Sequence, residues 1–195
     1  MVEAVPAPHL FRRLFHLASP VFLLYYWIPE DLGNTGIRRE ALLLLALGTV
    51  LSVDVARIAL RIPVFGLRKY EAGRLSAYAW GTIGLALGLA LFPPILVIPA
   101  FCGMAWIDPL CAWARTAKKY PWLPAIGYAA VFASLLWITE GRLSVPAIAV
   151  LTGIATPLAL LAEYADLRLV DDDFLMTIVP LIGLTLALGP IRALL

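Results

Sequence analysis

Seven times between residues 14 and 188 the chain runs apolar for most of a membrane thickness and then meets a short polar or helix-breaking stretch. A helix satisfies its own backbone hydrogen bonds in lipid, so this rhythm predicts an all-α polytopic membrane protein, one bundle of about seven transmembrane helices. The expected crossings are residues 14–29, 76–92, 95–114, 123–139, 145–162 and 174–188, plus a second run that starts at Ala41, stays apolar through Val53 and ends before Pro63. With 62% hydrophobic and 14% charged residues, a mean hydropathy of +0.90 excludes an ordinary soluble domain, and 195 residues leave no room for a separate one. Arg12 and Arg13 precede the first run as in a signal peptide, but no small-residue cleavage site follows, so the segment reads as a retained helix. Cys102 and Cys111 share one apolar run and read as small hydrophobes.

Lys and Arg counted over alternate loops set the orientation, because short cytoplasmic loops are enriched in them. Arg12, Arg13, Arg57, Arg61, Arg68, Lys69, Arg74, Arg115, Lys118, Lys119 and Arg168 fall on one side, and Arg38, Arg39, Arg142 and Arg192 on the other. Eleven against four puts the N-terminus in the cytoplasm. The same side collects nine of the thirteen acids: Glu3, Asp54, Glu71, Asp108, Glu163, Asp166, Asp171, Asp172 and Asp173. A positive-inside bias does not account for acids gathering there too.

Carboxylates near hydrocarbon cost several kcal/mol unless paired, hydrated or metal-bound, so each is a candidate for function. Asp108 stands before Pro109, which biases it away from helical geometry and predicts a water-lined notch. The bland reading pairs Asp108 with Arg115 or has it cap a broken helix. Asp54 with Arg57, and Glu71 with Arg74, have the spacing of helix neighbours that neutralise each other. Asp171, Asp172 and Asp173 offer hard oxygen ligands of the kind Mg²⁺ prefers, or simply the N-terminal charge of the next helix. The basic loop after the second run suits anionic headgroups or a nucleotide triphosphate. His16 sits where it can touch phosphate or serve as a hydrogen-bonded structural residue. A common site requires Asp108 to lie within about 10 Å of residues 171–173.

Taken together these segments resemble the membrane family of dolichol kinases, phytol kinases and CTP-dependent diacylglycerol kinases, which is related to the phosphatidate cytidylyltransferases. Arg12-Arg13-Leu14-Phe15-His16 looks like the family's Arg-Lys-x-x-His, and Asp54-Val55-Ala56-Arg57 like its Glu-x-x-Arg. Glu71 with Arg74-Leu75-Ser76-Ala77 is similar to its Glu and Leu-Thr-Gly-Ala stretch. Ile107-Asp108-Pro109-Leu110-Cys111-Ala112 resembles Gly-Asp-Pro-Leu-Ala, and Glu163, Asp171-Asp172-Asp173 and Pro180 follow the order of a Glu, an Asp-Asp-Asn and a Pro. Ile107 stands in place of the family's glycine, and residues 122–128 lack its Lys-x-x-Glu-Gly-Ser.

The resemblance implies transfer of a phosphoryl group from CTP, with Mg²⁺, to a membrane lipid alcohol such as a polyprenol or diacylglycerol at the cytoplasmic leaflet. It implies Asp108 as metal ligand or base, Glu71 beside it, and Asp171, Asp172 and Asp173 aiding the metal. Arg13, His16, Arg57, Arg74, Arg115, Lys118 and Lys119 would meet nucleotide phosphates, with Asp54 and Glu163 orienting them. The partners implied are a lipid substrate and a nucleotide, with a homodimer left open and the cell membrane as location in a prokaryote. Competing expectations are a cytidylyltransferase that makes a CDP-lipid and a non-catalytic lipid-binding or transport relative. A net charge of +2 without an aromatic-basic surface module gives no reason to invoke nucleic acid.

Overall fold

Small and apolar residues recurring every four positions decide which helix faces turn inward. The structure, a computed structural model, describes residues 7–33, 36–139, 141, 143–165, 167 and 169–191. Glu3, Asp166, Arg142, Arg168, Arg192 and Glu140, counted above for orientation, lie outside the described residues, as does the side chain of Lys69. Seven α-helices follow one another: α1 (Ala7–Ala18), α2 (Arg39–Leu60), α3 (Ala77–Leu91), α4 (Pro94–Thr116), α5 (Trp122–Thr139), α6 (Val145–Tyr164) and α7 (Asp172–Ile191). No strand forms among the described residues, and α2, α4, α5 and α6 are long and apolar enough to cross a membrane. Large side chains such as Leu44, Leu45, Leu91, Ile126, Ile138 and Leu186 are exposed around the bundle. In water they would form apolar patches far beyond those of a monomeric soluble protein, which suggests a membrane protein.

The first crossing differs from expectation. After α1 the chain continues as a nine-residue 3-10 helix, Ser19–Trp27, entered through Pro20 and stopped before Pro29. At a rise of about 2.0 Å per residue that segment covers roughly 18 Å, where α-helix would cover roughly 14 Å. The tighter winding lets a short segment reach the far end of the bundle.

α4 is the most enclosed span, with 61% of its apolar window buried against 11% for α2. It packs on α1, the 3-10 segment, α3, α5, α6 and α7, while α2 packs chiefly on α3. Tyr128, Phe132 and Leu136 of α5 and Leu151, Ala155 and Ala159 of α6 repeat every four residues and are buried in the core with Phe101 and Met104. Cys102 and Cys111 are free thiols buried on α4. Pro109 lies inside α4, which continues unbroken to Thr116, so the expected notch at Asp108 does not come from a helix break. Proline removes only one intrahelical donor, and a helix gripped from several sides keeps its course.

Glycine matters most where α4 meets α5. A Cβ on Gly103 would stand 2.6 Å from a ring carbon of the fully buried Tyr128. Gly103→Ala is therefore expected to cost about 1–3 kcal/mol of stability by overpacking, read as a lowered unfolding midpoint in detergent. A midpoint equal to that of the wild type would show that the ring has room to give.

Short connections make successive helices antiparallel. The starts of α1, α3, α5 and α7 and the ends of α2, α4 and α6 therefore meet at one end of the bundle.

Candidate active site

That end holds the polar residues. Among the described residues every buried ionisable side chain with a formal charge or an imidazole is found there: Arg12, His16, Asp54, Arg57, Glu71, Glu163 and Asp173. They come from four different helices and the 3-10 turn Lys69–Gly73. Three groupings can be distinguished.

In the first, Arg57 clamps the connection between α2 and α3. Its Nε donates to Asp54 Oδ1 at 2.8 Å, Nη1 to the Glu71 carbonyl at 2.9 Å and Nη2 to the Arg74 carbonyl at 2.9 Å. The other Asp54 oxygen accepts the Ser76 N–H at 2.8 Å. Glu71 Oε2 accepts the Arg68 N–H at 2.7 Å, and Oε1 accepts the Ala77 N–H at 3.3 Å and faces Arg12 Nη1 at 3.5 Å. Arg57 thus holds the chain through three acceptors, and Glu71 accepts the N–H groups that fix the turn. Arg74 leaves the turn in extended backbone, so helical i,i+3 spacing does not describe Glu71 and Arg74.

The second grouping is the centre of the site. His16 Nε2 lies 3.5 Å from Asp173 Oδ2 and 3.9 Å from Asp108 Oδ2, and the three ligand atoms all lie within 4.8 Å of one another. Asp108 and Asp173, sixty-five residues apart in sequence, therefore meet well inside the 10 Å that a shared site requires. Arg12 Nη2 stands 3.9 Å from Asp173 Oδ2. These separations exceed direct hydrogen bonds. Accordingly Arg12 Nη2, His16 Nε2 and Asp173 Oδ1 are buried without a hydrogen-bond partner among the described residues, as is the Tyr78 hydroxyl nearby.

Buried polar atoms left without partners are rare and costly, and four in one place fit a site built to receive a polar or ionic ligand. Two carboxylates and an imidazole nitrogen are a donor set for a divalent cation. The carboxylates suit Mg²⁺, and the imidazole widens the range to first-row metal ions. Asp171, just before α7, adds to the negative field, and its N-terminal position makes its second duty plain: Oδ1 accepts the Asp173 N–H at 3.3 Å. Burial, then the hydrogen bond and charge of Asp172, push the Asp171 carboxyl up to about 7.

The third grouping joins α4 to α6. Arg115 Nη2 meets Glu163 Oε1 at 2.7 Å, and the Tyr120 hydroxyl donates to Glu163 Oε2 at 2.9 Å. The guanidinium lies 4.9 Å from the centre of the Tyr120 ring. Burial and then this hydrogen bond to Glu163 push the Tyr120 phenol up to about 12. Arg115 thus pairs with Glu163, in place of the expected alternative of Asp108.

Two cavities are lined by residues at the start of α7. One, of about 560 Å³, is walled by Arg68, Arg74, Arg115, Glu163, Asp171 and Asp172, with Trp80 and Leu175 among its apolar side chains. The other, of about 150 Å³, has His16, Ser19, Tyr78, Thr82 and Asp173 as its polar side chains, and apolar residues such as Phe15, Phe22 and Met104 make up most of the rest.

Arg13, Lys118 and Lys119 are exposed and stand outside these groupings, and Lys119 rests over the Trp113 ring at 5.6 Å. Arg12 holds the place expected of Arg13. Arg12, His16 and Ser19 form a buried i, i+4, i+7 stripe on one side of the first segment, a signal present in the sequence. Tyr120 carried no such signal, since its partner is forty-three residues away. Arg12→Ala should lower stability by about 3–5 kcal/mol, because Glu71 and Asp173 would stay buried without their cation. Arg13→Ala should change it by less than about 0.5 kcal/mol. Thermal unfolding of the two variants compares them directly, and equal effects would remove Arg12 from the site. No family model, curated protein or solved structure matches this chain.

Proposed function

We propose that this chain is a CTP-dependent kinase that phosphorylates a membrane lipid alcohol, with its site at the cytoplasmic leaflet. The observation that carries this reading is an arginine-walled polar cavity lined by Asp171 and Asp172 and a mostly apolar one lined by His16 and Asp173, so that consecutive residues at the start of α7 line both. A reaction between a triphosphate and a lipid hydroxyl needs one compartment of each kind, side by side. The larger cavity lies within the size range of small-molecule sites, and cationic side chains stabilise the charge on transferring phosphoryl oxygens. The orientation rests on the excess of Lys and Arg at that end.

In the reaction the lipid oxygen forms a bond to the γ-phosphorus, the bridging P–O bond breaks and CDP leaves. The hydroxyl proton passes to a carboxylate, for which Asp173 and Asp108 are placed. Arg68, Arg74 and Arg115 face the phosphates, and Asp54, Arg57 and Glu71 hold the loop that carries two of them. Mg²⁺ held by Asp108 and Asp173, with His16 and Asp171 close by, would spread the negative charge of the triphosphate.

Purified protein incubated with γ-labelled CTP, MgCl₂ and a panel of polyprenols, shorter isoprenoid alcohols and diacylglycerol is expected to yield a labelled lipid phosphate. A parallel incubation with lipid phosphates, followed for pyrophosphate release, tests for CDP-lipid formation. Lipid phosphate from no alcohol and no nucleotide would end the kinase assignment.

A further inference from the structure

The end of the bundle opposite the candidate active site has its own polar atoms with nothing to bond. Between the 3-10 segment and α2 the chain turns back on itself: Asp31 and Arg38 form an antiparallel bridge, and the Arg39 N–H donates to the Glu30 carbonyl at 2.9 Å. This turn sets Arg39 between two carboxylates. Its Nη2 meets Glu30 Oε1 at 3.4 Å, and its Nε faces Glu40 Oε1 at 3.9 Å, too far for a hydrogen bond. Arg39 Nε, Glu40 Oε2 and the Tyr26 hydroxyl are enclosed without a hydrogen-bond partner among the described residues. The side chains of Arg39 and Glu40 are 22% and 43% exposed, so a rotamer change presents both atoms to a ligand. Arg39 Nε and the Tyr26 hydroxyl can donate, whereas the Glu40 oxygen accepts. A ligand that satisfies all three carries an anionic acceptor and a cationic donor.

The same cluster borders an apolar cavity of about 370 Å³ between the 3-10 segment, α2 and α3. Tyr25 and Ile28 line that cavity, and Arg39 touches both: its guanidinium lies 5.4 Å from the Tyr25 ring centre, and its Nη1 donates to the Ile28 carbonyl at 3.5 Å. Leu43 and Ala46, one and two turns beyond Arg39 on α2, continue the wall with Leu85 of α3. α2 is the least enclosed of the four long spans, so lipid reaches its flank.

We infer that this is a binding site for a zwitterionic phospholipid of the leaflet opposite the candidate active site, with its phosphate on Arg39 and Tyr26, its ammonium on Glu40 and Glu30, and an acyl chain in the cavity. A purely anionic headgroup would leave Glu40 unanswered and add its charge to those of Glu30 and Asp31. Such a lipid is neither substrate nor product of the proposed kinase, and the site stands or falls without that reaction.

Native mass spectrometry tests this on full-length protein, stripped of lipid in detergent and titrated with phosphatidylethanolamine, phosphatidylcholine and phosphatidylglycerol of identical acyl chains. One phosphatidylethanolamine is expected to be retained, at least about tenfold more tightly than phosphatidylglycerol, because like charges brought together disfavour the wrong partner. Phosphatidylcholine, whose ammonium has no N–H to donate, should fall between them. Glycerophosphoethanolamine, the head without its tails, should not displace the lipid. Tyr26→Phe should weaken phosphatidylethanolamine binding by about tenfold, the lower end for one hydrogen bond to a charged group. Without lipid the same variant should unfold no earlier than the wild type, since the hydroxyl it lacks has no partner. Glu40→Gln should remove most of the preference over phosphatidylglycerol, and Ala46→Phe, which puts a ring into the cavity, should lower retention of all three lipids. Equal retention of the three lipids, tightest binding of phosphatidylglycerol or displacement by the tail-free head would overturn the inference. So would unchanged phosphatidylethanolamine binding in any two of these variants when folded, or a lowered lipid-free midpoint in Tyr26→Phe, which would give the hydroxyl a purely structural role.

Discussion

Asp173→Asn is expected to reduce the proposed lipid phosphorylation by about 10²–10⁴-fold, the range lost when a positioned acid-base group is removed. Asp173 is the most enclosed member of the central group at 2% exposure, and it touches both Arg12 and His16. Asparagine keeps the shape while losing the charge and the basic oxygen. A second readout separates chemistry from folding. MgCl₂ at about one hundred times its dissociation constant should stabilise the wild-type protein by about 2.7 kcal/mol, and the variant by much less. Activity within about tenfold of wild type, with the Mg²⁺ effect intact, would take Asp173 out of the site. Asp108→Asn should follow the same pattern, since the two carboxylates face one imidazole.

Arg57→Gln should destabilise the protein by about 3–5 kcal/mol, the cost of leaving one member of a buried ion pair alone. Asp54 would stay buried without its cation, and the carbonyls of Glu71 and Arg74 would lose their donors. Arg57→Lys should recover little, because one ammonium does not reproduce a planar fork spanning three acceptors. The double variant Asp54→Asn with Arg57→Gln should recover part of the loss, as the stranded charge is gone. For contrast, Arg38→Ala at the far end removes an exposed pair with Glu40 and should cost less than about 1 kcal/mol. Denaturation in mild detergent reads all four. A loss in Arg57→Gln no larger than in Arg38→Ala would show that the clamp does not hold the connection.

The helical class, the number of helices and the end of the bundle that carries the charge were legible in the chain itself. Each follows from short-range quantities: the length of apolar runs, the residues that interrupt them and the alternation that short loops impose. The expected 76–92 and 123–139 agree with α3 and α5 to within a residue. The buried stripe of Arg12, His16 and Ser19 has a helical spacing that the sequence carries, although the expectation named Arg13 beside His16.

Tertiary structure decided which charges hold the chain together and which line a cavity. Arg57 and Arg115 look alike as isolated cations near helix ends. One is tied into the α2–α3 connection by three hydrogen bonds, and the other lines the larger cavity from its pairing with Glu163. Pro109 likewise reads as a break in isolation and stays helical once α4 is enclosed. Periodicity and charge are properties of a segment and survive without its neighbours. The meeting of His16, Asp108 and Asp173 depends on how three helices pack, because burial and distance between remote residues exist only after the chain has closed on itself.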